Sequence, residues 1–254
     1  MKSKFLINVQ HWTTRQFADL MRFSDRVRGI ILGDPFCPLR MFEHGNWDIP
    51  VFAKSAKEAG LCVALQTPVY LTQRNFNDMF SLIRFLERRE LLDLLFVQDV
   101  GLLSELKESD FRVPTCWSFW GGGRGDTLSR DLLNFLTQLN LQYLETNKPS
   151  RVGPLQECGL KVIYRLYAPQ VATFGRFCYT QYITGSPCNG GDLCKHEQPG
   201  LVSTDGKLNL KVSGYTLEHA KPSLNPSPKA SPDYVTVYVG ELVHLPKVLG
   251  DDSR

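Results

Sequence analysis

The sequence predicts an α/β barrel of the TIM type, irregular or incomplete at its C-terminal end. Three observations lead there. Short apolar runs alternate with longer amphipathic patterns along most of the chain. The strand-like runs are apolar at nearly every position, as parallel strands covered on both faces require. Seven or eight strand–helix units fit in 254 residues, close to the roughly 250 of such a barrel.

KFLINVQ reads as the first strand, and Phe17, Leu20, Met21 and Val27 then recur at helical spacing. GIILGD is the second strand. WDIPVFAKSAKEAG is a helix stopped by Gly60. CVALQTPVYL is the third strand and RNFNDMFSLIRFLERREL an amphipathic helix. LLDLLFVQDVG gives the fourth strand and GLLSELKES a short helix. VPTCWSFW gives the fifth, and TLSRDLLNFLTQLN a helix capped by Thr127 or Ser129. LQYLETN is the sixth strand. PSRVGPLQECG reads as a turn, KVIYRLYAP as the seventh strand, and YVTVYVG as an eighth. The whole chain, 1–254, reads as one barrel domain. A cysteine-bearing loop spans 176–200, and a proline-rich loop spans 221–233.

The net charge of +3, with no dense run of Lys or Arg, gives no case for a nucleic-acid surface. No apolar stretch approaches the roughly 20 residues that cross a bilayer, and the N-terminal apolar run is too short for an export signal. The expected location is the cytoplasm, where thiols stay reduced and clustered cysteines serve metals more than disulfides. Nothing supports hydrolysis. His11, His44, His196, His219 and His244 are scattered, and neither G-x-S-x-G nor H-E-x-x-H occurs.

Cysteine placement is the most specific signal. Cys178, Cys188 and Cys194 fall in one polar stretch, and Cys37 lies far upstream in LGDPFCPLR. In a parallel barrel the loops leaving the strands' C-terminal ends share one face, so Cys37 after the second strand and Cys178 after the seventh can meet. The spacings lack the short C-x₂₋₄-C pairs of structural zinc. A 4Fe–4S cluster, whose corners lie further apart, suits them better, with zinc as the alternative. Cys62, Cys116 and Cys158 lie in or beside apolar runs and read as core cysteines.

GIILGDPFCPLR, LLFVQDVGLLSEL, LKVIYRLYAPQVATFGRFC and LNLKVSGYTLEH, taken in order with one early cysteine and three late ones, carry a resemblance over nearly the whole chain. The chain resembles the collagenase-like peptidase family (peptidase family U32), and most of all its ubiquinone-biosynthesis branch. That resemblance implies a TIM-like barrel and a 4Fe–4S cluster held by Cys37, Cys178, Cys188 and Cys194. It also implies oxygen-independent hydroxylation of a ubiquinone precursor, in a heterodimer with a second, UbiU-like family member. Other members hydroxylate transfer or ribosomal RNA, with prephenate as oxygen donor. A non-catalytic accessory subunit is a further reading.

Polar residues recur at predicted strand ends: Asp34, Gln66, Thr67, Gln98, Asp99, Ser118, Glu145, Asn147 and Arg165. They are candidates for a substrate pocket, some instead capping the next helix, as Asp99 would. Arg176, two residues before Cys178, is placed to favour a charged cluster or an acidic substrate. Trp117 and Trp120 read as core aromatics or as stacking partners for an aromatic ring. GGGRGD, from Gly121 to Asp126, reads as a flexible barrel loop or an anion cradle.

Overall fold

The computed structural model describes residues 4–9, 14–21, 25–42, 48–69, 71–118, 130–139, 141–168, 171–174, 178–185, 200–202, 204, 209–213, 216–219 and 223–238. Within them the elements are β1 (Phe5–Asn8), α1 (Thr14–Met21), β2 (Gly29–Leu32), α2 (Pro38–Phe42), α3 (Ile49–Glu58), β3 (Cys62–Gln66), α4 (Gln73–Arg88), β4 (Leu94–Val97), α5 (Val100–Glu108), β5 (Thr115–Ser118), α6 (Arg130–Gln138), β6 (Leu141–Thr146), α7 (Val152–Glu157) and β7 (Lys161–Ala168). After β7 come β8 (Val171–Phe174), α8 (Tyr179–Thr184), β9 (Gly200–Val202), β10 (Asn209–Ser213), β11 (Thr216–His219), β12 (Ser223–Leu224) and β13 (Tyr234–Tyr238).

Strands β1 to β7 pair in parallel, each with the next, and β13 pairs in parallel with both β7 and β1. The result is a closed eight-stranded parallel barrel with helices between strands, a TIM-type α/β barrel. YVTVYVG supplies the closing strand, as the sequence predicts. The C-terminal irregularity is an excursion between β7 and β13. There, β8, β11, β10 and β9 form a separate antiparallel sheet. Nothing in the polar, glycine-laden sequence announced that sheet.

The strands are apolar throughout because both faces are buried. Period two sorts them. Ile7, Ile30, Leu32, Val63, Leu65, Leu95, Val97 and Trp117 point outward and join the helices in the main core. Leu6, Ile31, Ala64, Leu94, Phe96, Cys116, Tyr143 and Ile163 point inward and fill the barrel. Trp117 is thus a core aromatic, while Trp120 and the GGGRGD loop lie outside the described residues.

Local chemistry sets the helix ends. Asp48 Oδ1 accepts from the Val51 N–H at 3.2 Å to start α3. That helix ends where Gly60 takes φ +74°, with Gly60 N–H bonded to Lys57 O and Leu61 N–H to Ala56 O, both at 2.9 Å. This is a Schellman ending, and it confirms Gly60 as the stop. Thr72 caps α4, whose buried Met79, Ile83 and Leu86 keep helical spacing.

Two readings need correction. PSRVGPLQECG is not a turn: a 3₁₀ turn over Pro149–Arg151 leads into α7, which buries Val152 and Leu155. Pro149 and Pro154 suggest loop, yet each occupies a helix's first turn, where no N–H is needed. Cys158 is exposed, because it terminates α7 and does not face into it. The described part of the proline-rich segment runs beside β7: β12 pairs with it antiparallel, and Tyr164 Oη donates to Pro226 O at 2.5 Å.

Candidate functional site

The inward positions change character toward the strands' C-terminal ends. Ser118 on β5, Glu145 on β6, Arg165 on β7, and Thr236 and Tyr238 on β13 are all buried, and so is Gln66 across the barrel on β3. Glu145 and Arg165 meet because β6 and β7 are neighbours and both side chains alternate inward. Arg165 Nη2 donates to Glu145 Oε2, as does Ser118 Oγ. Arg165 Nη2 also lies 3.3 Å from Ser118 Oγ. Thr236 Oγ1 donates to Glu145 Oε1 at 2.6 Å. The Tyr238 hydroxyl sits 3.1 Å from Gln66 Oε1 and 3.3 Å from Glu145 Oε1, and its ring centroid lies 5.8 Å from Arg165 Cζ. One carboxylate therefore gathers donors from three neighbouring strands besides its own.

The electrostatics follow from this geometry. Burial by itself would raise the Glu145 carboxyl. The Arg165 charge and the hydrogen bonds from Arg165, Ser118 and Thr236 outweigh it and hold the carboxyl below its ordinary value. Burial would likewise lower Arg165, but Glu145 keeps it firmly charged. Burial and then the Glu145 charge push the Tyr238 hydroxyl and the Cys116 thiol well up, so both keep their protons. The cluster thus fixes charges and hydroxyls in place. It offers no group that gains or loses a proton near neutrality.

Cys37 and Asp34 sit beyond β2, at the same end. Gly33 takes φ +96° and turns the chain out of the strand. Asp34 Oδ1 then accepts the N–H of Phe36 at 2.7 Å and of Cys37 at 3.1 Å. Asp34 therefore positions the cysteine, which is buried just before Pro38 opens α2. Cys178 is also buried and immediately precedes α8; β8 intervenes between it and β7. Cys188, Cys194 and Arg176 lie outside the described residues. No three His, Cys, Asp or Glu side chains converge on a metal-sized site among the described residues.

The remaining candidates separate. Asp99 Oδ1 accepts the Leu102 N–H at 2.9 Å and caps α5. Asn147 is exposed past β6. Gln98 donates to Thr67 O at 3.1 Å, and Thr67 Oγ1 is buried without a hydrogen-bond partner among the described residues. Asp99→Ala is expected to lower stability by about 1 kcal/mol in urea unfolding.

Thr236 and Tyr238 escaped the sequence reading. The signal was present: in YVTVYVG the residues able to hydrogen-bond, Tyr234, Thr236 and Tyr238, alternate with valines. Period two puts such a set on one face, and in a closed barrel that face is the interior.

No protein-family model and no curated protein matches the sequence. Among solved structures, the chain is similar to orotidine 5'-monophosphate decarboxylase from Metallosphaera sedula, at 14% identity over 65% of this chain and 77% of that one, with a TM-score of 0.45. It is similar to a truncated 3-deoxy-D-arabino-heptulosonate 7-phosphate synthase from Thermotoga maritima, at 12% identity over 65% and 64%, with a TM-score of 0.46. It is also similar to a phosphodiesterase from Oleispira antarctica, at 10% identity over 63% and 83%, with a TM-score of 0.44. Among the described residues no helix is long and apolar enough to cross a membrane.

Proposed function

We propose that this chain is an iron–sulfur protein of the U32-like family. In this reading it takes part in oxygen-independent hydroxylation in ubiquinone biosynthesis, as a UbiV-like subunit paired with a UbiU-like partner. One observation carries the reading. Cys37, just beyond β2 at the end where functional loops of such barrels gather, and Cys178, far away in sequence between β8 and α8, are only 2% and 5% exposed. Buried thiols in loops fit the donor chemistry of a 4Fe–4S cluster, with Cys188 and Cys194 as the other two ligands. Such a cluster supplies one-electron chemistry when bound.

The chain's own residues do the rest. Asp34 fixes the backbone that carries Cys37. The Glu145–Arg165 pair stiffens the polar end of the barrel. The small aromatic or prenylated substrate of this reading would meet the polar strand ends of that face, where Thr67 has a fully buried hydroxyl without a partner among the described residues. An accessory role is the second reading. It draws on the saturation of Glu145 by Arg165, Ser118 and Thr236, which leaves that carboxylate no proton to exchange. In that reading the partner supplies the reacting groups.

Iron and acid-labile sulfide are assayed on the full chain purified without oxygen. The proposal expects about four of each per chain. Stoichiometric zinc with no iron rejects it.

A further inference from the structure

The opposite end of the barrel holds a second polar site. At the strands' N-terminal ends Cys62 on β3 is small, whereas Tyr143 on β6 and Tyr234 on β13 are large. A cavity of about 340 Å³ opens there, lined among others by Arg28, Lys57, Cys62, Asp93, Tyr143 and Tyr234. That volume lies at the lower end of small-molecule pockets.

The charges do not cancel. Asp93 is used up: Oδ1 takes Lys57 Nζ at 2.7 Å, and Oδ2 takes the Val63 N–H at 2.8 Å. Arg28 stands near the Tyr234 hydroxyl and has no carboxylate within ion-pair distance among the described residues. A guanidinium carries five N–H donors, and Arg28 is one of the residues lining the cavity. Burial and then Asp93 push the Cys62 thiol up to about 12, so it adds no negative charge. Lys161 and Asp233, one of each sign, both stand by Tyr143. The two tyrosine rings, 5.9 Å apart and tilted by 42°, make an aromatic wall with hydroxyls at its edge.

We propose that the N-terminal mouth of the barrel binds a small planar organic anion, with Arg28 taking a carboxylate and Tyr143 and Tyr234 facing its ring. A guanidinium with no carboxylate partner among the described residues suits a carboxylate ligand. Phosphate sites gather several free cations or successive backbone N–H groups, whereas here Lys57 is paired with Asp93 and Arg28 is left as the cation without a carboxylate among the described lining residues. The cavity also exceeds what a bare oxyanion fills, and its aromatic wall is the partner for the rest of the ligand.

Calorimetric titration of the full chain with benzoate, inorganic phosphate and benzyl alcohol tests this. Benzoate is expected to bind one to one with an affinity on the order of millimolar. Benzyl alcohol, which keeps the ring but carries no charge, is expected not to saturate. Arg28→Gln should weaken benzoate about tenfold or more. Lys57→Gln, at a partly exposed position, should weaken it several-fold by unmasking the Asp93 charge. Absent benzoate binding, or unchanged affinity in Arg28→Gln, overturns the proposal. Phosphate binding as tightly as benzoate overturns the assignment to a ring-bearing anion. If Arg28→Gln does not fold, unchanged affinity in Lys57→Gln overturns it instead.

Discussion

Arg165→Met is expected to cost the fold about 3–5 kcal/mol, read as a lower urea midpoint at unchanged slope. The substitution keeps most of the volume and removes the charge. Glu145 then remains in the barrel with Ser118, Thr236 and Tyr238 but without its counter-charge. A buried carboxylate without a cation is among the costlier single defects a fold can carry. Adding Glu145→Leu should restore part of the loss, because a well-packed apolar pair avoids desolvating either ion. The pH dependence fixes the sign. The folded-state carboxyl of Glu145 lies below its unfolded value, so the ionised group adds stability above the ordinary carboxylate range and loses it as pH falls through the folded value. Wild-type stability should therefore drop as the pH falls below the ordinary carboxylate range. The drop in Arg165→Met should be smaller, since burial then favours the protonated acid.

Gly33→Ala is the second large effect, about 3 kcal/mol or more. Two penalties combine. The φ of +96° lies where side chains are strained, and a Cβ built there would sit 2.3 Å from the backbone oxygen of Gln66. That oxygen belongs to the neighbouring strand and cannot step aside. The variant should unfold at lower urea and, where it folds, hold less metal, because Gly33 sends the chain toward Asp34 and Cys37.

Much of the barrel was legible because burial on both faces writes a simple signal. GIIL, CVALQ and LLFV are apolar at nearly every position, and the intervening helices keep 3.6-residue spacing. The misses have physical reasons. Helix α7 hides behind two prolines tolerated in first turns. Cys158 sits beside apolar residues, yet it ends a helix and so faces solvent. The polar plug was half visible. Gln66, Ser118, Glu145 and Arg165 stand out as polar residues ending apolar strands. That Glu145 and Arg165 pair depends on β6 lying beside β7 with both side chains turned inward, which is a property of the closed ring. Closure also turns Thr236 and Tyr238 from apparent strand residues into partners of Glu145. Asp99 shows how one strand-end pattern serves two ends, since it caps a helix while its neighbours fill the barrel.

The central claim is that an early thiol and a late trio hold one prosthetic group. The most direct measurement is iron per chain in Cys37→Ala and Cys178→Ala, purified without oxygen beside wild type and Cys158→Ala. The account predicts that iron and the cluster's broad visible absorbance fall together in both Cys37→Ala and Cys178→Ala, while Cys158→Ala matches wild type. Wild-type iron in a folded Cys37→Ala chain would contradict it.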